Sequence, residues 1–243
     1  MDLVQMSNSF DVLYNNITSN QAPGLNPYEK SMFLTQAQDS IVLAMYNGAA
    51  ARSFEETEEF TTYLSPLVRQ ATITEEKSGD GIVHIVSGSH VFKLPPLLMF
   101  RTYESCMLSD PDNRFGCPGG PETKEALVLP VTQDEFWRIN RNPFKGANDK
   151  RVLRLAYDKA TDGVDSFTDN SSKVDKYSEI VSKYVIASYK VRYIKRPNPI
   201  ILTDLPGDLN IHGESTAMEC ELNPQLHERI VREAVNLAKS VWR

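Results

Sequence analysis

The stretch YVIASYKVRYI, residues 184–194, gives the clearest strand pattern in the chain. Successive side chains of a β-strand point to opposite faces of the sheet. One predicted face is apolar and holds Val185, Ala187, Tyr189, Val191 and Tyr193. The other is polar and holds Ser188, Lys190 and Arg192. The alternation predicts a strand with one buried face and one face in water.

Further strand patterns flank this stretch. Upstream, runs of β-forming residues are separated by Gly, Pro, Asn or Asp clusters and cover residues 82–86, 91–94, 98–108, 126–131 and 151–157. Downstream, Pro197 and Pro199 break the strand, and residues 200–202 resume it at an edge, where proline is tolerated. These runs predict a mostly antiparallel sheet with long loops at 109–123 and 159–173.

Two helices are predicted before the sheet. Asn26 and Glu29 form a capping-box signature around Pro27, and apolar residues then recur at helical spacing as far as the stop signal Asn47-Gly48. A second start signal at Ser53 and Glu56 predicts a helix over 53–68 that Pro66 ends or bends. Residues 1–25 read as a short helix or turn plus a loop. The two helices predict an N-terminal helical hairpin.

The C-terminus carries a third start signal, Asn223-Pro224, followed by apolar residues at spacings of four and three, which predicts an amphipathic helix over 224–242. Helices around a sheet predict an α+β fold. The expected organisation is a helical region over 1–72, a β region over 73–222, and a C-terminal helix over 223–243 that packs on the helical region. Together these regions are expected to form one compact unit.

Composition excludes several classes of protein. The 243 residues are 41% hydrophobic and 24% charged, which is ordinary for a globular chain. The net charge of -6 disfavours a dedicated nucleic-acid-binding protein. Three cysteines argue against a disulfide-stapled secreted protein. Neither a membrane-spanning run nor a signal peptide is predicted, so synthesis in the cytoplasm is expected.

No catalytic, cofactor or metal motif is recognisable, and a non-enzymatic protein without cofactors is expected. The best metal candidate, His212 with Cys220 and His227, lacks ligand spacing, so structural roles for these side chains are favoured. Asp110 and Asp112 resemble part of a calcium loop but lack its closing Glu, which favours a solvated turn. Cys106 and Cys117 could form a disulfide across the 109–123 loop, yet free thiols are favoured.

A locally basic stretch follows the fourth strand run, with Phe136, Trp137 and Phe144 interleaved among its cations. The candidate basic patch comprises Arg138, Arg141, Lys145, Lys150, Arg151 and Arg154. A charged turn with the aromatic rings in the core is the favoured interpretation. Binding of single-stranded nucleic acid by stacking and phosphate contact is one alternative. Docking of an acidic neighbouring subunit is another.

Helix faces are candidates for contacts between subunits. The candidate intersubunit contacts are Phe33, Ile41, Leu226, Ile230, Leu237 and Trp242. Burial of the same faces in the protein's own core is the more common outcome for amphipathic helices and is favoured here.

Three segments resemble a virion structural protein of crAss-like tailed bacteriophages. They are FDVLYNNITSNQAPGLNPYEKSMFLTQAQDSIVLAMYNG (10–48), VTQDEFWRINRNPFKGANDKRVLRL (131–155) and the stretch from YVIASYKVRYIKRPNPIIL to the end of AVNLA (184–238), over half of the chain. The resemblance implies a ring or adaptor protein of the head-to-tail neck, between the portal and a podovirus-like tail. It implies a homo-oligomeric ring, commonly of twelve copies, and no catalytic residues.

The implied partners are the portal protein and neighbouring neck or tail rings, with genomic DNA passing through the channel without sequence-specific binding. Such a ring needs two different contact patches on each copy, and the loops at 109–123 and 159–173 are expected to reach neighbouring rings and to become ordered on contact. Another virion role, as a tail hub, capsid auxiliary or cargo protein, is an alternative. A phage nucleic-acid-binding protein is the alternative from a different class.

Overall fold

The computed structural model describes residues 1–15, 24–50, 58–76, 84–112, 114–117, 119–158 and 176–241. They divide into two compact units. The helical unit draws on Met1–Val68 and Lys195–Arg243, and the sheet unit on Arg69–Thr168 and Lys173–Ile194. The five α-helices of the described residues are α1 (Leu3–Asn15), α2 (Pro27–Ala50), α3 (Glu58–Leu64), α4 (Gln133–Asn140) and α5 (His227–Val241).

Helix α2 begins as the sequence predicts. The backbone amide of Glu29 donates to Asn26 Oδ1 at 2.8 Å, and the amide of Asn26 donates to Glu29 Oε2 at 2.8 Å. This reciprocal pair is a capping box, which satisfies two amides at the helix start. The helix does not stop at Asn47-Gly48 but continues to Ala50.

The core of the helical unit forms where α5 packs on α1 and α2. Helix α5 buries one apolar face, as its spacing predicts, and α1 contributes Met6, Phe10 and Tyr14. Just before α5, the amide of Gln225 donates to Asn223 Oδ1 at 3.1 Å, and a single 3-10 turn over Pro224–Leu226 leads into the helix. The predicted C-terminal helix is therefore confirmed from its cap to Val241.

An extended segment, 198–202, lies along the polar side of α2. Thr35 Oγ1 accepts from the Ile200 amide at 3.0 Å and donates to the Ile200 carbonyl at 3.3 Å. Ser31 Oγ accepts from the Leu202 amide at 3.0 Å, and Gln38 Nε2 donates to the Asn198 carbonyl at 2.7 Å. Helix side chains therefore satisfy backbone groups that a neighbouring strand would satisfy in a sheet.

The sheet unit holds seven strands in the order β1-β7-β3-β4-β5-β6-β2. Their bounds are β1 (Val68–Ile73), β2 (His90–Lys93), β3 (Leu98–Ser109), β4 (Thr123–Pro130), β5 (Arg151–Asp158), β6 (Lys176–Val181) and β7 (Val185–Lys195). The ladders β3–β4, β5–β6 and β2–β6 are antiparallel, and β4–β5 is parallel. Together with the helices, this sheet confirms the predicted α+β class.

The sheet curls until its edges meet. Phe92 in β2 and Tyr189 in β7 are five strands apart in the sheet order, which is about 24 Å in a flat sheet. Their ring centroids lie only 5.6 Å apart. Glu76, just after β1, forms an antiparallel bridge with Phe92, and its carboxylate contacts His90 Nδ1 at 2.9 Å. The two edge strands therefore approach each other around an apolar interior.

Helix α4 covers part of the outer face of the sheet. Its Phe136 is buried in a second apolar cluster that includes Leu153 and Leu155 of β5 and Val181 of β6. Beside this cluster, the buried Glu179 carboxylate accepts from the amides of Ile85 and Val86 at 3.1 and 2.8 Å.

Four elements differ from the sequence predictions. Val68–Ile73 is strand β1 and not a continuation of the helix, because the Pro66 turn ends the helix and residues such as Thr72 and Ile73 favour extended backbone. Strand β6 and helix α4 were not predicted. The described part of the predicted strand at 82–86 is not a strand, since its amides bond to Glu179.

The buried face of β7 changes along the strand. Tyr189 and Val191 are buried on the predicted face, but Val185 and Ala187 are exposed and Ile186 is buried in their place. The predicted alternation is therefore correct over Tyr189–Arg192, whereas Ile194 near the end of the strand is buried on the opposite face. The predicted edge strand at 200–202 is a single bridge between Ile201 and Met218 in the helical unit.

The boundary between the units lies at other places than expected. Residues 69–72 belong to the sheet unit, and 195–222 group with the helices because 198–202 bonds to α2. In the loop between β3 and β4, Phe115 packs on Tyr184 with centroids 5.0 Å apart, and its amide donates to Asp110 Oδ2 at 2.9 Å. The predicted loop at 159–173 lies outside the described residues.

Candidate assembly surface

Helix α4 and the turn after it form the most exposed aromatic surface of the described residues. Trp137 is 58% exposed and Phe144 is 86% exposed, and both were predicted to lie in the core. Only Phe136 is buried there, with its ring centroid 5.3 Å from that of Trp137 in an edge-on arrangement. The prediction of buried aromatic rings is therefore wrong for two of the three.

The turn that presents Phe144 is held by hydrogen bonds from both sides. Asn142 Oδ1 accepts from the Phe144 amide at 2.9 Å, and the Asn142 carbonyl accepts from the Gly146 amide at 2.7 Å. Arg151 Nη2 donates to the carbonyls of Phe144 at 2.5 Å and Gly146 at 3.3 Å. A Cβ at Gly146 would lie 2.8 Å from the Asn140 carbonyl oxygen, so the turn packs too closely for any other residue there. Phe144 is thus displayed on a braced turn.

Several cations lie in the same segment of the chain as the exposed rings of Trp137 and Phe144. Arg141, Lys145 and Lys150 are exposed, and within the part of the chain that the structure describes none of them forms an ion pair. Arg138 is also exposed but pairs with Glu135 at 2.5 Å. We call Trp137, Arg141, Phe144 and Lys145 the α4 surface. It combines exposed aromatic rings with an arginine, residue types that are enriched at protein interfaces.

Two members of the predicted basic patch point elsewhere. Arg154 is buried inside the curled sheet, where its Nε lies 3.0 Å from Glu104 Oε2. Arg151 uses its guanidinium to brace the turn. Alternate residues of β5 face opposite sides of the sheet, so 151 and 154 could not both have joined one exposed patch.

Glu104 is the centre of a buried polar cluster in the sheet interior. Besides Arg154, its carboxylate lies 3.6 Å from Arg101 Nε and accepts a hydrogen bond from the Tyr189 hydroxyl. Arg101 Nη2 also donates to Ser178 Oγ at 3.1 Å. Burial, and then the negative charge of Glu104, raise the pKa of Tyr189 well above its ordinary value. Tyr189 therefore stays protonated and donates to the carboxylate.

The candidate intersubunit contacts are distributed between core and surface. Ile41, Leu226 and Ile230 are buried within the helical unit, so these side chains belong to the protein's own core. Phe33 and Leu237 are half-buried, and contact with a neighbouring subunit stays a prediction for them. Trp242 lies outside the described residues.

The residues considered for metal binding have protein partners. His212 Nε2 lies 2.9 Å from Arg196 Nη2, Cys220 Sγ donates to Gln38 Oε1 at 3.2 Å, and His227 Nε2 lies 3.1 Å from the Leu222 carbonyl oxygen. No group of three potential metal ligands occurs among the residues for which the structure gives positions. Cys106 and Cys117 are free thiols, the first buried and the second exposed.

An acidic loop, residues 203–219, is the electrostatic counterpart of the α4 surface. Backbone bonds at Ile201–Met218, Leu205–Ser215 and Ile211–Glu214 hold it as a narrow excursion from the helical unit. Its exposed carboxylates are Asp204, Asp208, Glu214 and Glu219, and Leu209 is 42% exposed.

The acidic loop carries a net negative charge. Arg196 lies beside it, with Nη2 2.9 Å from His212 Nε2, but this guanidinium pairs with Asp39 at 2.6 Å. No Lys or Arg occurs between Arg196 and Arg229, and no described residue forms an ion pair with Asp208, Glu214 or Glu219. Burial, and then the charge of Arg196, lower the pKa of His212, so that histidine stays neutral near pH 7. The loop was not predicted, although the sequence holds a signal for it in a run of more than thirty residues without a basic residue.

Among the described helices, none combines the length and the apolar character that crossing a membrane requires. Most buried polar groups named above have protein partners, whereas the α4 surface and the acidic loop expose apolar and charged side chains to solvent. This arrangement fits a protein that works through its surfaces.

Comparison with known proteins gives the family. The model of the family described as phage tail ring protein 3/4 matches residues 1–242. Ring protein 3 of Bacteroides phage crAss001 is 39% identical over 237 residues, covering 96% of this chain and 93% of that protein. Ring protein 4/5 of the same phage is 34% identical over 253 residues, covering 100% of this chain and 94% of that protein.

These relatives are structural ring proteins of a phage, which confirms the resemblance to crAss-like virion proteins and the expectation of a structural, non-enzymatic role. The match extends over both units, including the α4 surface and the acidic loop. The chain therefore belongs to the phage tail ring protein 3/4 family and is a ring-forming structural protein of the crAss-like phage virion.

Proposed function

We propose that this protein forms a closed ring of about twelve copies at the head-to-tail connector, between the portal and the tail, through which the genome passes. The observation that supports this role most directly is the family match over residues 1–242. Closed rings are built from heterologous contacts, in which one patch of each copy meets a different patch of the next. The chain offers two exposed patches of different chemistry.

The overall charge suits a conduit for DNA. A channel wall with many unpaired cations would bind phosphates and slow the passage of the duplex. The chain carries a net charge of -6, and two arginines of the basic segment are engaged within the protein. Passage without sequence-specific binding is therefore part of the proposal, as are contacts with the portal and with neighbouring ring proteins.

Copy number in the purified particle tests this placement. Quantitative mass spectrometry with isotope-labelled peptides would measure this chain against the portal protein of the same particle. One copy per portal subunit is the expected ratio for a connector ring. A ratio equal to that of the major capsid protein would instead indicate a capsid role, and a ratio far below one would indicate a cargo protein or a tail hub.

A binding experiment with purified proteins tests the neighbours. The chain is expected to bind the assembled portal, or a ring protein already bound to it, and to bind the isolated portal subunit more weakly, because a ring interface presents many sites at once. Absence of binding to the portal and to each of the other ring proteins would contradict a connector position. In the infected cell, synthesis in the host cytoplasm is expected to precede incorporation into the virion.

A further inference from the structure

We propose that the α4 surface of one copy docks on the acidic loop of the next copy, and that this contact links neighbouring subunits in the ring. The inference rests on the proposed ring function and names the two faces that meet. It follows from three observations on the described residues: two exposed aromatic rings, unpaired cations beside them, and unpaired carboxylates on a separate exposed loop.

Contact of the two aromatic rings with water is unfavourable, and a partner that covers them would remove this contact. Covering a phenylalanine side chain with apolar surface is favourable because it removes apolar area from water, and Phe144 is almost fully in water. The turn that displays it is braced by Asn142 and Arg151, so little further ordering is needed on binding. Leu209, exposed on the acidic loop, offers an apolar counterpart of suitable size.

The charges of the two surfaces favour the acidic loop of a second copy as the partner of the α4 surface. Residues 69–194, which contain the sheet, carry 18 Lys or Arg and 17 Asp or Glu, whereas the rest of the chain carries 8 and 15. The α4 surface meeting a second α4 surface would bring Arg141 and Lys145 against like charges. The acidic loop meeting a second acidic loop would do the same with carboxylates. Pairing the α4 surface with the acidic loop brings opposite charges together, and it is a heterologous contact of the kind that closes a ring.

A nucleic acid is a weaker candidate for the same surface. Arg141, Lys145 and Lys150 are the unpaired cations close to the rings, and the protein as a whole is acidic. Few cations release few counterions, so binding to DNA would be weak at physiological salt. DNA binding is therefore kept as an outcome of the experiment that would overturn the inference.

Reciprocal charge reversal tests the contact. One variant reverses the basic side (Arg141→Glu with Lys145→Glu), a second reverses the acidic side (Asp208→Lys with Glu214→Lys), and a third combines all four changes. Mass photometry and electron microscopy would measure ring formation by the full-length chain against protein concentration. Circular dichroism would confirm that each variant is folded.

Each two-site variant is expected to need at least about tenfold higher concentration to form rings, because like charges then face each other. The four-site variant is expected to recover rings, since its charges are again opposite. An equimolar mixture of the two two-site variants is also expected to recover them, because each then accepts only the other as its neighbour. As a matched control, Lys93→Glu with Lys183→Glu changes two exposed lysines outside the α4 surface and is expected to shift the concentration less than about twofold.

The inference is overturned if both two-site variants form rings as readily as the wild type, or if neither the combination nor the mixture recovers rings. Loss of salt-dependent DNA binding in Arg141→Glu/Lys145→Glu with unchanged self-association would assign the surface to nucleic acid. A wild-type chain that stays monomeric at all concentrations would also overturn the contact. The connector position would still be judged by copy number in the particle, so the two proposals can fail separately.

Discussion

Single buried side chains decide how the interior of the curled sheet is held together. Glu104 faces Arg101, Arg154 and the hydroxyl of Tyr189, and it is the one carboxylate described in that cluster. A charge removed from water is tolerated only when opposite charges and hydrogen bonds replace the lost hydration. Glu104 is therefore the carboxylate that faces the buried Arg154 guanidinium.

Replacing Glu104 with Gln is expected to destabilise the fold by about 3–5 kcal/mol, because it removes the carboxylate charge that faces the buried Arg154 guanidinium. The free energy of unfolding in urea would measure the effect. Glu135→Gln is the matched control, since it removes a carboxylate from an ion pair whose two side chains are 50% or more exposed. That change is expected to cost less than about 1 kcal/mol. Equal effects of the two substitutions would contradict the role assigned to Glu104.

The three cysteines are expected to differ in their reaction with a thiol reagent at pH 8. Burial raises the pKa of Cys106 to about 12 and that of Cys220 to about 11, and the thiolate is the reactive form. Cys117 is exposed. One thiol should therefore react at once in the folded protein, and all three after addition of guanidinium chloride. Rapid reaction of Cys106 in the native state would contradict its burial in the sheet.

Patterns of residue type predicted burial in α5 but not on the α4 surface. The spacing of Ile230 and Ala234 was sufficient to predict their burial, because an amphipathic helix buries its apolar stripe against the core. Trp137 and Phe144 have the composition of core residues, and nothing local distinguishes an aromatic residue that packs inside from one that waits for another protein. Likewise, nothing local in the sequence distinguishes Arg154 from a surface cation, because its partner Glu104 comes from another strand.

Among the elements, helix α2 forms hydrogen bonds with the backbone of residues 198–202, as a neighbouring strand would in a sheet. Ser31, Thr35 and Gln38 follow one side of the helix at spacings of four and three, and each bonds to the backbone of the extended segment. All three side chains are buried. This polar stripe explains why the segment joins the helical unit and not the sheet.

Thr35→Val is expected to lower the free energy of unfolding by about 1–3 kcal/mol. The two side chains have nearly the same shape, but valine leaves the buried amide and carbonyl of Ile200 without their partner, which costs the desolvation of those groups. Chemical denaturation would measure the change. Ser40→Ala, which removes an exposed hydroxyl bonded to the Ala37 carbonyl of its own helix, is the control and is expected to change stability by less than about 0.5 kcal/mol.

Strands bounded by clear turn residues could be predicted from the sequence, whereas β1 and β6 could not. β3, β4, β5 and β7 have runs of β-branched and aromatic residues bounded by turn residues, and all four were predicted close to their observed bounds. β1 follows a helix without any turn residue except Pro66, and β6 contains Lys176 and Glu179 among its few apolar residues. The buried Glu179 carboxylate accepts hydrogen bonds from the amides of residues 85 and 86. No local sequence pattern reveals this long-range pairing.

At the scale of the whole molecule, charge is divided unevenly along the chain. The segment that forms the sheet has a net charge of +1 (18 basic and 17 acidic residues), and the N-terminal and C-terminal segments that form the helical unit have a net charge of -7 (8 basic and 15 acidic residues). In the proposed ring of identical copies, this division would favour contacts that bring segments of unlike charge together.

A cryo-EM map of the virion at side-chain resolution would test the central claim that this protein acts as a ring between head and tail. The account predicts a closed ring of this α+β fold next to the portal, with one subunit for each portal subunit and with the Phe144 turn of one copy against the 203–219 loop of the next. A map that places the fold in the capsid shell, or as single copies without a closed ring, would contradict the account.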